Sequence, residues 1–162
     1  MNAIQFRTAR ADDLDALVPL YLRAYREHPE YGDTRPDKAR RYLQWLWRHH
    51  TLFLIAEDAQ QRPVGFVVMH ANWQDTTGQP VGEIHELVVA PEHWGQGVGS
   101  RLLQAALAHA RDAGRTRAGL WVGERNLRAQ RFYQRHGFRP VRWGYWVRME
   151  RPLFASDASS GT

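Results

Sequence analysis

The chain has no cysteine among its 162 residues. This excludes a disulfide framework, a thiolate metal site and a thiol nucleophile. No apolar run approaches the length of a membrane span, and no signal-peptide core follows the N-terminus, so a cytoplasmic protein with no membrane partner is expected. His28, His49, His50, His70, His93, His109 and His136 are scattered. None forms an i, i+4 pair with an acid in register, so no metal site is expected. The remaining composition, 43% hydrophobic and 24% charged, is that of a globular chain long enough to bury a core. Residues 1–154 read as one domain, and residues 155–162, small and polar, as a disordered tail. The formal charge is +5, mostly from arginine. That suits a polyphosphate ligand, an acidic partner or a solvated basic surface.

Taken in order, Ile4–Arg10 alternates as a strand. A helix follows with Asp12 as its N-cap and Leu14, Leu17, Val18, Tyr21, Leu22 and Tyr25 on its apolar face. Pro19 is expected to kink it or end its first half. Thr34, Pro36 and Asp37 open a second helix, which carries Tyr42, Trp45 and Trp47 beside Arg40, Arg41 and Arg48. Its arginines raise DNA recognition. Three aromatics on one short helix fit packing or a substrate wall better, and no nucleic-acid partner is expected. Strands follow over 51–57, 63–73 and 84–89, then a helix ending near Gly114, a strand over 118–122, a helix over 126–136 and a strand pair over 139–151. The order β-αα-βββ-α-β-α-ββ describes an α+β chain with one mixed sheet covered by helices on both faces.

The most informative stretch is 83–107. A strand runs through Pro91 and a loop bearing Gly95, Gly97 and Gly99 into a helix whose stripe is Leu102, Leu103, Ala106, Leu107 and Ala110. A helix N-terminus behind such a loop favours an anion, because its first N–H groups lack intrahelical acceptors and the helix dipole is positive there. The missing Cβ at Gly97 and Gly99 lets that anion approach the backbone. A Walker loop would need Lys-Ser/Thr after its last glycine, where this chain has Ser100-Arg101. A dinucleotide fingerprint would need G-x-G-x-x-G in an early β-α-β unit, and neither condition holds.

Trp-Gly-Gln-Gly-Val-Gly (94–99) after Leu-Val-Val-Ala-Pro (87–91) resembles the acetyl-CoA pyrophosphate loop of the GNAT superfamily of N-acetyltransferases. Asn126-Leu-Arg-Ala129-Gln-Arg-Phe132-Tyr133-Gln-Arg-His-Gly137-Phe138 resembles the N-x-x-A-x-x-F-Y-x-x-x-G-F segment of the same superfamily. The likeness spans roughly residues 3–153. One departure is Trp94, where many relatives carry Gln or Arg. The resemblance implies a three-layer α/β/α fold on a mostly antiparallel sheet of about seven strands.

The resemblance also implies acetyl transfer from acetyl-CoA, as co-substrate, to a primary amine of a small molecule or peptide. The N–H groups from Gly95 through Gln96, Gly97, Val98 and Gly99 to Ser100 would hold the pyrophosphate. The backbone of Leu87, Val88 and Val89 would pair with the pantetheine arm, with an N–H near Leu87 on the acetyl carbonyl. Asn126 would hydrogen-bond the CoA arm, cap its helix, or do both. Arg101 either meets phosphate or is an ordinary exposed helix arginine. Tyr133, a phenol with a pKa near 10, would protonate the departing thiolate. The base would be Glu83, then Glu86, then His85, with a water relay open. Period two places Glu83 and His85 on one face and Glu86 on the other unless a bulge intervenes.

Acceptor identity would come from the first two helices, the 70–80 loop and the last strand pair. Their tyrosines and tryptophans suit a ligand with an apolar or cationic face, a core, or a homodimer surface. A non-catalytic acetyl-CoA-binding module is the alternative to an enzyme.

Overall fold

The computed structural model describes residues 3–153; the tail read over 155–162 lies outside the described residues. Seven strands and four helices are described: β1 Gln5–Thr8, α1 Leu14–Ala24, α2 Pro36–His49, β2 Leu52–Glu57, β3 Pro63–Gln74, β4 Pro80–Val89, α3 Val98–Asp112, β5 Arg117–Gly123, α4 Leu127–Arg135, β6 Arg139–Arg142 and β7 Trp146–Pro152. The strands form one sheet in the order β1-β2-β3-β4-β5-β7-β6. β4 and β5 pair in parallel, whereas β1–β2, β2–β3, β5–β7 and β6–β7 are antiparallel. The α+β reading and its mixed, mostly antiparallel sheet are therefore observed. Among the described residues no helix is long and apolar enough to cross a membrane.

Two compact units are distinguishable: the residues up to Met69 with His85–Ala106, and His70–Ile84 with the residues from Leu107 onward. In the first, Leu14, Leu17, Val18 and Tyr21 of α1 and Ala39, Leu43 and Leu46 of α2 pack on Phe53, Ile55, Phe66, Val68 and Val88. Burying one such Leu or Phe side chain contributes about 1.5–3 kcal/mol. Side chains alternate along a strand, so Gly65 faces away from Phe66. A Cβ at Gly65 would meet Leu102 Cδ1 of α3 at 3.3 Å and the Val88 carbonyl oxygen at 2.8 Å. The start of α3 thus lies on the sheet face opposite α1 and α2, as expected.

Helix α1 departs from the sequence expectation in two respects. Its start is set by Asp13, not Asp12: a single 3₁₀ turn, Ala11–Asp13, comes first. The Asp13 carboxylate accepts the Arg10 N–H at 2.6 Å and pairs with Arg7 of β1 at 2.7 Å, while Arg7 also pairs with Glu57 of β2 at 2.8 Å. This tie to the sheet outweighs the local capping preference of Asp12. Pro19 neither ends nor divides the helix. Pro19 and Asp15, the residue whose carbonyl loses its donor, are both exposed, on a side of the helix open to water. Helix α2 begins at Pro36 with Arg35 at the cap, one residue later than the Thr34 signal placed it.

In the second unit β7 pairs with β5 from Arg117↔Pro152 to Gly123↔Trp146, and β6 lies outside it. Ala118, Leu120, Val122, Phe138, Val147 and Met149 are buried. Arg117 binds Asp75 and Glu150, each at 2.6 Å, tying the turn after β3 to β5 and β7.

The close approach at Gly65 gives a direct test of the first unit. Gly65→Ala should destabilise the protein by about 1–3 kcal/mol. The urea midpoint should fall with an unchanged slope; a wild-type midpoint would mean that the strand yields there freely.

Candidate active site

The loop between β4 and α3 is built by backbone geometry. The Ala90 N–H donates to the Val64 carbonyl at 2.8 Å, and a 3₁₀ turn covers Pro91–His93. The Trp94 indole N–H donates to the Val89 carbonyl at 2.9 Å, so this departure from the family pattern braces the loop against its own strand. Gly95 and Gly97 take φ of 76° and 83°. Side chains rarely adopt that region, and successive N–H groups around it form an anion-binding concavity. The glycines that shape the loop are therefore Gly95 and Gly97, whereas Gly99 lies within the first turn of α3. The Arg101 N–H donates to the Gly97 carbonyl at 3.0 Å, and the N–H groups ahead of it face outward from the helix end. The Arg101 guanidinium stands 4.1 Å from the centroid of the Phe6 ring, which accounts for that side chain as a cation–π contact. Gln96 and Arg23 both engage Glu92, the side chain of Gln96 through the Glu92 carbonyl and Arg23 through an ion pair.

Glu86, in the same unit, is only 7% exposed. Its two carboxylate oxygens are held by phenols from two helices. Tyr25, at the C-terminal cap of α1, donates to Oε1 at 2.5 Å, and Tyr42 of α2 donates to Oε2 at 3.0 Å. Burial pushes the Glu86 carboxyl up to about 7, against the downward pull of the two phenols and the Leu87 N–H. Burial, and then the charge of Glu86, drive Tyr25 and Tyr42 well above the ordinary phenol range. Tyr21 packs against both, with ring centroids 4.9 Å from Tyr25 and 5.5 Å from Tyr42. His85 is half-buried, its ring edge-on to Trp45 at 5.2 Å. Leu87 and Val89 are half-buried on either side of buried Val88.

Glu83 belongs to the other unit and is 3% exposed. Arg148 of β7 donates to its Oε1 at 2.7 Å and to Glu150 at 3.2 Å. The guanidinium lies where Gly119 presents no side chain: a Cβ there would fall 2.1 Å from Nη2. Burial raises the Glu83 carboxyl while Arg148 holds it back. In the same unit Asn126 caps α4, accepting the Ala129 N–H at 3.3 Å. Buried Gln130 donates to the carbonyls of Gly123 and Glu124 at 2.9 and 2.8 Å, which fixes the turn leading into the helix. Tyr133 is 8% exposed, its ring packed on Phe132 and Phe138.

The structure thus brings Glu86, His85, the 87–89 backbone and the glycine loop together in one unit, and Glu83, Asn126 and Tyr133 in the other. Sequence reading named Tyr25 and Tyr42 only as part of an aromatic wall. Their i, i+3 and i+4 spacing explained them as apolar positions, and nothing local signals that their hydroxyls meet a strand acid. Arg148 was not singled out, because its partner is 65 residues away.

One strand thus carries a buried carboxyl and leads into a glycine loop at a helix N-terminus. The model of the acetyltransferase (GNAT) family matches residues 14–138. The chain belongs to that family and is an acetyltransferase. It is 39% identical over 131 residues to an uncharacterized N-acetyltransferase of Archaeoglobus fulgidus, a match covering 80% of this chain and 89% of that one. A mycothiol acetyltransferase of Propionibacterium freudenreichii is 36% identical over 135 residues, 82% of this chain but 42% of the relative, so the chain spans less than half of that protein. Among solved structures, PH1933 from Pyrococcus horikoshii OT3 superposes with a TM-score of 0.82 at 33% identity, covering 93% of this chain and 98% of that one.

The raised carboxyl has a consequence for stability. A group that binds its proton more tightly when folded contributes stability at low pH and loses it as pH rises through the folded pKa. For Glu86 that window runs from about 4.5 to about 7. Glu86→Gln does not titrate, so its stability relative to wild type should improve between pH 5 and about pH 7 and then level off toward pH 8, read from urea midpoints at each pH. A difference that stays constant over this range would contradict the raised carboxyl.

Proposed function

We propose that the protein moves the acetyl group of acetyl-CoA to a primary amine of a small molecule or peptide by direct attack, with Glu86 as the general base. The supporting observation is the placement of Glu86: a buried carboxyl, held by two phenols, on the strand that leads directly into the glycine loop, where burial pushes it up to about 7. A free amine near pKa 10 is protonated at neutral pH and cannot attack, and a base serves best when its own pKa lies near the working pH. Glu83 takes second place in this reading, because its ion pair with Arg148 occupies one oxygen and favours the ionised form. His85 comes third.

In this proposal the N–H groups of Gly95–Ser100 hold the CoA pyrophosphate, and the backbone at Leu87–Val89 lines the pantetheine arm. The Leu87 N–H polarises the acetyl carbonyl as negative charge develops on it. The amine attacks that carbonyl, Glu86 receives its proton, the C–S bond breaks, and the Tyr133 hydroxyl protonates the departing thiolate. Asn126 both caps α4 and orients the CoA arm. Residues 1–154 act as one catalytic domain, in the cytoplasm.

Thiol release from acetyl-CoA, measured over a panel of small amines and N-terminal peptides, tests the reading. For the amine with the highest kcat/KM, the rate should fall below about pH 7, following Glu86. Glu86→Gln should lower kcat by about 100-fold and remove that limb, and Tyr133→Phe should lower kcat by about tenfold or more with little change in the KM for acetyl-CoA. A wild-type rate and profile in Glu86→Gln would remove Glu86 as the base.

A further inference from the structure

The two phenols on Glu86 are not equivalent, and their difference points to an order of events at the base. Tyr25 is pinned. Its hydroxyl meets Oε1 at 2.5 Å, within the range of a charge-assisted O–H···O⁻ bond. Its ring is packed between Tyr21 and the backbone of Gly32, where an added Cβ would fall 2.5 Å from a ring carbon. Tyr42 is held less tightly. Its hydroxyl oxygen lies 3.0 Å from Glu86 Oε2 and 3.3 Å from the backbone carbonyl oxygen of His85, so its single proton has a second acceptor already within reach. Its ring stacks at 6.3 Å on Trp45, which in turn meets His49 and His85, and all four of these side chains are half-buried.

We propose that Tyr42 is a displaceable positioning residue: its hydroxyl leaves Glu86 Oε2 for the His85 carbonyl when the acceptor amine arrives, while Tyr25 stays on Oε1 throughout. This inference rests on the reading of Glu86 as the base. It resolves a difficulty in that reading, because a carboxylate with a donor on each oxygen presents a crowded face to a third. Moving Tyr42 costs little, since its proton exchanges one acceptor for another and no buried hydroxyl is left unmade. The amine then takes the vacated side of Oε2, its carbon skeleton against the half-buried Trp45 and His85. A single carboxylate flanked by aromatic rings suits a monoamine with a flat or apolar arm. The groups bearing on Glu86 are Tyr25 at the C-terminal cap of α1, Tyr42 from α2, the Leu87 N–H of its own strand and, through charge, Tyr21 of α1; His85 is its neighbour in the strand, and Asp33, before α2, acts on Tyr21 and Tyr42.

The pH profiles of kcat/KM and kcat separate the two tyrosines, because the first reports the free enzyme and the second the loaded one. A phenol donating to a carboxylate lowers its pKa, so removing the hydroxyl raises it. With the best amine of the panel, Tyr42→Phe should move the acidic limb of kcat/KM upward by about one pH unit and leave the limb of kcat in place. Tyr25→Phe should move both limbs upward. Wild-type urea midpoints in these near-isosteric variants would separate the effect from misfolding. A Tyr42→Phe enzyme whose two limbs move together, or in which neither moves, overturns the displacement. Glu86→Gln at full rate, or no turnover with any amine, would instead refute the base reading on which the inference stands.

Discussion

The burial of one carboxyl on the central strand constrains much of the first unit. Glu86 is buried, where an ionised carboxylate would be costly without donors. α1 and α2 each deliver one phenol to it, and they do so from faces that otherwise fill the core: Leu17, Val18 and Tyr21 on one, Leu43 and Leu46 on the other. The core packing that aims the two helices at the sheet therefore also sets the proton affinity of the group they meet. The same strand, three residues on, gives its Val89 carbonyl to the Trp94 indole and passes into the left-handed glycines of the anion loop. One element carries both halves of the chemistry assigned to this unit.

The second carboxyl of the strand shows how environment separates like groups. Glu83 and Glu86 are both buried, and burial raises both. Glu83 faces a guanidinium and is opposed by a full positive charge, whereas Glu86 faces neutral phenols and is opposed only by hydrogen bonds. Two glutamates on one strand thus sit in different environments, the one paired with a guanidinium and the other with two phenols and poised to exchange a proton near neutrality.

Much of the fold was legible because its signals are local. The strand signals over 51–57, 63–73 and 84–89, the glycine loop before α3 and the Asn126–Phe138 segment each lie within a dozen or so residues, and the last two carry the family resemblance. The start of α1 was less legible because an ion pair from another element intervenes, Arg7 of β1 holding Asp13, and the helix continues through Pro19 where that residue is exposed. The sequence ranks the candidate base as Glu83, then Glu86, then His85, whereas the proposed order puts Glu86 first. That order depends on Tyr25, Tyr42 and Arg148, which lie 61, 44 and 65 residues from the acids they touch. No spacing rule relates an arginine on the last strand or a tyrosine on an apolar helix face to a particular acid.

The central claim is that Glu86 exchanges its proton near neutral pH because the fold buries it beneath two phenols. Carbon-13 NMR of the glutamate side-chain carboxyls in the free protein, assigned by comparison with Glu86→Gln, measures this without reference to any acceptor. The account predicts that the Glu86 resonance titrates at about 7. A midpoint at the ordinary glutamate value, near 4.3, would contradict it.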